Sequence, residues 1–438
     1  LYIEKRRSQR VYWNGMSETK AATGATTRSQ LGDEIVSRIN QLGAISETPE
    51  NLARIFLSPE HRTAADLLMS WMKGAGMAAH LDAIGNVCGR YEGERAGLPC
   101  LMLGSHYDTV RDAGKWDGPL GIVTAITCVA DLNRRGVRLP FAIEIVGFAD
   151  EEGVRFASTL LGSRAVAGTF DESVLKVRDA NGLTMREAMV QFGLDPDHIG
   201  AAARARRELH AYVELHIEQG PVLEQQNLPV GVVTAISGAT RLAANLTGMA
   251  GHAGTVPMAL RRDALAGAAE CIVAVEAFCK TDGAGLVGTV GAITALPGAT
   301  NVIPGRVSFT LDIRAPADGH RKLAVAEIVR RIEAIAKRRD LALQIDVTHE
   351  NRTVPCAPWL KAQVAEAVAG EGYGVFELPS GAGHDGMAMI DISDVAMLFV
   401  RCRGGISHHP AEHVEPADAD AGARVLLRLI ENFRPRNA

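Results

Sequence analysis

Apolar positions recur at helical spacing over residues 31–43 (LGDEIVSRINQLG) and 61–76 (HRTAADLLMSWMKGAG). They then give way to the two-residue alternation of AAHLDAIGNVCGRYEG, which predicts a hairpin. The short apolar runs LPCLMLG (98–104) and FAIEIVGFA (141–149) predict buried strands. Between them PLGIVTAITCVADLNRRG (119–136) predicts a helix, with Pro in its first turn and two Arg and a Gly at its end. Strand, loop, helix and strand in that order predict an α/β fold, a mixed, largely parallel sheet flanked by helices.

The texture changes from about residue 222. VGVVTAISGATRLAANLTGMAG reads as two strands, RRDALAGAAECIVAVEAFCK as a helix, and LVGTVGAI and RVSFTLDIR as two further strands. DGHRKLAVAEIVRRIEAIAKRRD follows as a helix with a basic face, and LALQIDVTHE as a last strand. This mixture predicts a smaller α+β domain of ferredoxin-like type, inserted at 222–349 into a catalytic α/β domain made of 30–221 and 350–438. Helices are predicted at 357–370 and 416–434 around the apolar strand VAMLFV (395–400). The basic start, LYIEKRRSQRVYWNGMSETK, has no apolar signal core, and residues 1–29 are expected to be a disordered leader outside the fold.

Bulk composition narrows the function classes. A chain of 438 residues exceeds what one core organises, and 47% apolar with 22% charged residues is ordinary globular usage. A net charge of −5 without a long basic run argues against a nucleic-acid partner. No apolar run approaches the roughly 20 residues that span a bilayer. Seven scattered cysteines without a CxxC pair read as reduced thiols of a cytoplasmic protein.

The chemistry-bearing residues fall just after the predicted strands, where open α/β sheets build their sites. GSHYDTVRDAGKWDGPLG (104–121) carries His106, Asp108 and Asp117, and reads either as a polar turn or as half of a metal site. FADEEG carries Glu151 and Glu152; ELHIEQGP carries His216 and Gln219; SGAGHDGMAM carries His384; GGISHHPAEH carries His408 and His409. Each alone fits an ordinary turn, but their joint placement favours a site. Imidazole and carboxylate are the ligands that borderline divalent ions prefer. Asp117, short and followed by Gly, suits a carboxylate shared by two ions, and the Glu151–Glu152 pair leaves one acid free as general base. Asp108 is placed to hold the other nitrogen of His106. No G-x-S-x-G elbow, phosphate loop or H-E-x-x-H helix competes.

GSHYDTVRDAGKWDGPLG, FADEEGVRF, ELHIEQGPVLE, GMAGHAGTVPM, PGATNVIPG, LDIRAP, SGAGHD and GGISHHPAE together resemble the signature blocks of the hydantoinase/carbamoylase-type amidases. That family includes N-carbamoyl-L-amino acid hydrolases and allantoate amidohydrolases, within the co-catalytic metallo-exopeptidase superfamily. The resemblance spans residues 30–435 in order. It implies one divalent ion on His106, Asp117 and His216, a second on Asp117, Glu152 and His408, and Glu151 as general base. Zn or Mn are the implied ions, with Co and Ni compatible; the His408–His409 pair leaves open which imidazole binds. Gln219, His252, Asn301, Arg314 and His384 would contact the substrate, a small ureido acid. Read without the resemblance, Arg314 equally fits a surface ion pair, His252 a structural loop His, and Asn301 an Asx-turn. The resemblance also implies a homodimer formed through the inserted domain. A metallopeptidase or N-acyl-amino-acid deacylase is the alternative, against which the HIEQGP block and the DGPLG form of the bridging loop argue.

Overall fold

The computed structural model describes residues 31–436, so the expected leader at 1–29 lies outside the described residues. Helix α1 (Leu31–Gly43) buries Leu31, Ile35, Ile39 and Leu42, the spacing seen in the sequence. Helix α2 (Pro59–Gly74) is capped by the Ser58 hydroxyl, which accepts the N–H of His61. The hairpin follows as β1 (Ala78–Leu81) and β2 (Val87–Tyr91). The two apolar runs become β3 (Cys100–His106) and β4 (Ala142–Phe148), joined by α3 (Pro119–Arg134). Both strands are buried along their whole length and pair in parallel. Strands covered on both faces read as unbroken apolar runs, which is why periodicity finds them.

A short-element excursion, α4 (Leu161–Val166) and α5 (Met185–Phe192), leads to β5 (Leu209–Ile217), then to α6 (Val222–Gln225) and β6 (Val230–Ile236). The smaller unit comprises β7 (Gly238–Thr247), β8 (Gly251–His252), α7 (Ala264–Asp282), β9 (Val287–Thr289), β10 (Ile293–Leu296), β11 (Val302–Ile303), β12 (Arg306–Ala315), α8 (Asp318–Arg338) and β13 (Ala342–Asn351). The chain then completes the larger unit with β14 (Val354–Pro355), α9 (Pro358–Gly370), β15 (Glu377–Ser380), α10 (Gly386–Met389), β16 (Val395–Val400) and α11 (Pro416–Glu431).

The larger sheet has the order β1-β2-β4-β3-β5-β16-β6-β14, with β15 also pairing β6. Its centre, β4-β3-β5-β16, is parallel, while β2 and β6 join it antiparallel. The smaller sheet, β10-β12-β7-β13 with β9 also on β12, is antiparallel throughout. Two helices pack on it around Leu242, Leu246, Cys271, Phe309 and Ile328, which is the ferredoxin-like arrangement. The sequence reading opens this unit at 222, but β6 pairs with β15 and β16 of the larger sheet. The chain leaves the larger sheet after Ile236 and returns at Val354. Strand β6 reads locally as alternating, yet is buried on both faces, and only its neighbours decide which sheet it joins.

Among the described residues, no helix is long and apolar enough to cross a membrane. All seven cysteines are free, and six are buried.

Candidate metal centre

Strand β3 ends on His106, β4 is followed within four residues by Glu151 and Glu152, His216 is the penultimate residue of β5, and His408 lies on the loop after β16. All four strand ends are the carboxyl ends of parallel neighbours and therefore open on one side of the sheet. The chain passes from Asp117 into α3 through Gly118, whose φ is +81°. A Cβ there would stand 2.5 Å from both the ring and the carbonyl oxygen of His106, so only glycine lets the Asp117 loop close over that imidazole.

The histidine tautomers are set by the backbone. Nδ1 of His106 lies 3.1 Å from the carbonyl oxygen of Asp108, and Nδ1 of His216 lies 2.9 Å from that of Ile217. Carbonyls only accept, so both Nδ1 atoms carry a proton, which leaves each Nε2 as the nitrogen that could face a cation. Both point to Asp117, whose Oδ1 is 3.6 Å from His106 Nε2 and 3.1 Å from His216 Nε2. His216 Nε2 is buried and makes no hydrogen bond. Nε2 of His408 lies 3.1 Å from the other Asp117 oxygen and 3.4 Å from Glu152 Oε1. Of four groups of potential ligand atoms among the described residues, two are His106–Asp117–His216 and Asp117–Glu152–His408, the atoms of each lying within 4.8 Å of one another. Asp117 is common to both. An orphaned buried imidazole nitrogen among converging carboxylates and imidazoles is the donor set that suits divalent cations. His409 turns away, its Nδ1 accepting the N–H of Ala411.

The charges are strongly interdependent. Burial raises the Asp117 pKa, but His106, His216 and His408 outweigh it and hold the carboxyl well below its ordinary value. Burial disfavours the charged His106, yet Asp108 and Asp117 keep its pKa well above normal. Glu151 is pushed well above the carboxylate range by burial, against the pull of His106 and with Glu152, Asp385 and Asp108 adding to the rise.

Asp108 touches the site differently from the expectation. Its main-chain carbonyl is the nearer contact of His106 Nδ1, with its carboxylate 3.4 Å away. The carboxylate also accepts the N–H groups of Glu151 (3.1 Å) and Glu152 (3.2 Å), tying the β3 loop to the acid pair. Glu412, not singled out in the sequence, has the same office for Asp117. Its Oε1 accepts the N–H groups of Trp116 (2.8 Å) and Asp117 (3.0 Å). Gly114 makes room for it, since a Cβ there would come within 2.3 Å of the Glu412 side chain. Glu412 stands in the quoted block GGISHHPAEH, but its partners lie 295 and 296 positions away, so no local pattern marks it. Replacing Glu412 by Ala is expected to weaken divalent-metal binding roughly 10–100-fold in a chelator competition, with Gln, which keeps an accepting oxygen, much milder. Equal affinities for wild type and Glu412→Ala would contradict this.

A cleft of about 720 Å³ opens over the cluster and is lined by His106, Asp117, Glu151, Glu152, His216, Gln219 and His408 together with Arg314 of the smaller unit. Gln219 donates from Nε2 to Asp117 (2.9 Å) and Ser407 (3.2 Å). Arg314 donates from Nε and Nη2 to both oxygens of Asp312 and from Nη1 to the Gly381 carbonyl. His384 does not line the cleft: it is buried, edge-on to His216 at 4.5 Å, with Nε2 2.7 Å from the Ser380 hydroxyl. His252 and Asn301 also lie outside it, exposed on the ribbon formed by β8 and β11.

The family model of peptidase family M20/M25/M40 matches residues 102–432. An allantoate deiminase of Arabidopsis thaliana is 40% identical over 448 aligned residues, covering 95% of this chain and 85% of that protein. An N-carbamoyl-L-amino acid amidohydrolase of Geobacillus stearothermophilus is 42% identical, covering 91% and 98%. Among solved structures, an amidase of the hydantoinase/carbamoylase family from Burkholderia multivorans superposes with a TM-score of 0.86 at 33% identity, covering 92% and 98%.

Proposed function

Because this chain belongs to the hydantoinase/carbamoylase amidases of peptidase family M20/M25/M40, we propose that its cleft hydrolyses the ureido C–N bond of a small carboxylate, allantoate or an N-carbamoyl-L-amino acid. The observation that carries the reading is the meeting of His106, Asp117, Glu152, His216 and His408 in one cleft beside one further acid, Glu151.

His106, Asp117 and His216 would hold one divalent cation, and Asp117, Glu152 and His408 a second. Zn or Mn fits these nitrogen and oxygen donors, as do Co and Ni. Such ions supply Lewis acidity and lower the pKa of water toward ~7. Glu151 takes the proton of the attacking water and returns it to the leaving nitrogen. The carbamate released decomposes to CO2 and ammonia. Arg314 anchors the substrate carboxylate. Since its fork already faces Asp312, binding exchanges one carboxylate for another at a planar guanidinium.

Metal binding is expected to release protons. Without cations Asp117 holds His408 up to about 9 against the effect of burial, and burial holds Glu152 up to about 7. A ligand must shed its proton to bind, so near pH 7 each loading event expels protons and affinity climbs with pH up to about 9. Calorimetric titration in buffers of different ionisation enthalpy measures this; identical heats in all buffers would contradict it.

The exposure of His252 and Asn301, with Met249, Met258 and Leu260 exposed nearby in sequence, supports a homodimer in which the ribbon of one smaller unit serves the partner's cleft. A sedimentation mass of two chains is expected, and a mass of one chain contradicts it. Seven free thiols fit a reducing compartment such as the cytoplasm. The function itself is tested by offering allantoate, N-carbamoyl-L-methionine, 3-ureidopropionate and a dipeptide to protein reconstituted with Zn or Mn. Ammonia release from a ureido acid is expected. Cleavage of the dipeptide alone would overturn the proposal.

A further inference from the structure

The cleft wall contributed by the smaller unit carries more positive charge than one carboxylate neutralises. In the strand register Arg241 of β7 stands directly across from Asp312 of β12, and His349 of β13 stands across from Arg241 on its other side. Arg314 lies two residues beyond Asp312, on the same face of the strand. Arg164, on α4 of the larger unit, lines the same cleft as Arg241, Arg314 and His349. Its proximity to that row registers at His349, whose pKa is lowered by burial and then by Arg241, Arg314 and Arg164, with Asp312 opposing.

Arg241 and Arg314 therefore share the Asp312 carboxylate, and Arg164 adds a third guanidinium to the same cleft. Arg314 has no spare fork, since it is closed on Asp312 and the Gly381 carbonyl. Arg241 touches Asp312 through Nε alone, which leaves both terminal nitrogens open to the cleft. The Arg164 guanidinium makes no ion pair or hydrogen bond among the described residues. Asp171, the acid on its own side, is occupied by the amide and hydroxyl of Ser173. Arg352, the other arginine in the cleft, is neutralised by Asp391 and drops out of the balance. A lone arginine on open surface is ordinary. One that shares a substrate cleft with a second, half-free guanidinium creates a positive focus that favours an anion.

We propose that Arg164 and Arg241 form a second anion-recognition point, distinct from the Arg314 anchor, and that the preferred substrates are ureido acids bearing a second carboxylate. This rests on the ureido-hydrolase reading above. A carboxylate between the two forks accepts from both and joins the larger unit to the smaller. A neutral distal group accepts the same hydrogen bonds but leaves both charges uncancelled.

N-carbamoyl-L-glutamate and N-carbamoyl-L-glutamine differ in that one charge. Metal-reconstituted wild type is expected to favour the glutamate compound in kcat/KM by about tenfold or more. Arg164→Gln, at an exposed helical position, is expected to bring the ratio of the two substrates close to one, and Arg164→Lys to restore part of it. Equal wild-type values for the two compounds, or a ratio untouched by Arg164→Gln, would overturn the proposal. Calorimetric binding of the same pair to metal-loaded Glu151→Gln answers the question without turnover. Tighter binding of the glutamate compound supports the anion point, and equal binding refutes it. Failure of wild type to hydrolyse these two compounds and every ureido acid of the panel above would count against the hydrolase reading, and the binding comparison then decides the anion point by itself.

Discussion

Glu151→Gln is expected to lower kcat by at least 10²–10⁴-fold, the contribution of a positioned general base, while the metal content stays near two ions per chain. The substitution is nearly isosteric and keeps the backbone N–H that donates to Asp108. What it removes is the capacity to accept and return a proton. Glu151 is suited to that task because it lines the cleft and its carboxyl lies far above its ordinary range when no cation is near, burial being the main cause. Cations beside it would draw that pKa back down, which favours the carboxylate that accepts the proton. Elemental analysis together with initial rates separates two roles, since Glu151 also falls within reach of His106 and Glu152 in a third potential ligand group. Loss of an ion together with activity would make Glu151 a ligand, and substantial turnover with both ions present would remove it from the chemistry.

Asp117→Ala is expected to cost both ions and, with them, all measurable turnover. No other residue belongs to both the His106–His216 and the Glu152–His408 sets. Its Oδ2 also accepts from Gln219 and Ser407, so with His106, His216 and His408 the change frees five neighbours at once. Mass spectrometry of the dialysed variant is expected to find less than one ion per chain. Two retained ions would show that Asp117 bridges nothing. Asp117→Asn keeps one carbonyl oxygen and is expected to fall between, with one ion held weakly.

Much of the scaffold is legible because its elements obey local rules. The buried runs of β3 and β4 and the Pro-initiated α3 give the parallel centre, and the βαββαβ order gives the smaller sheet. The polar blocks were equally visible, since each follows an apolar run. What local patterns do not carry is contact between distant segments. The Glu412 clamp on the Asp117 loop, the Asp108 tie to the acid pair and the membership of β6 in the larger sheet all depend on tertiary neighbours. The closure of Arg314 on Asp312 was visible in principle, because residues two apart share a strand face, but LDIR gives no sign that the fork is occupied. His252 and Asn301 sit in blocks as distinctive as the rest, and nothing local separates a residue facing its own cleft from one facing outward.

His106 and His216 are 3% and 1% exposed, whereas the His408 side chain is half exposed on its loop. Ions seated on the two sides of Asp117 would thus exchange with solution at very different speeds. Dialysis against a mild chelator should strip the outer position first and pause at a singly loaded form. Such a form would accept a different element on the vacated side, so preparations from media of unlike trace composition need not carry identical pairs.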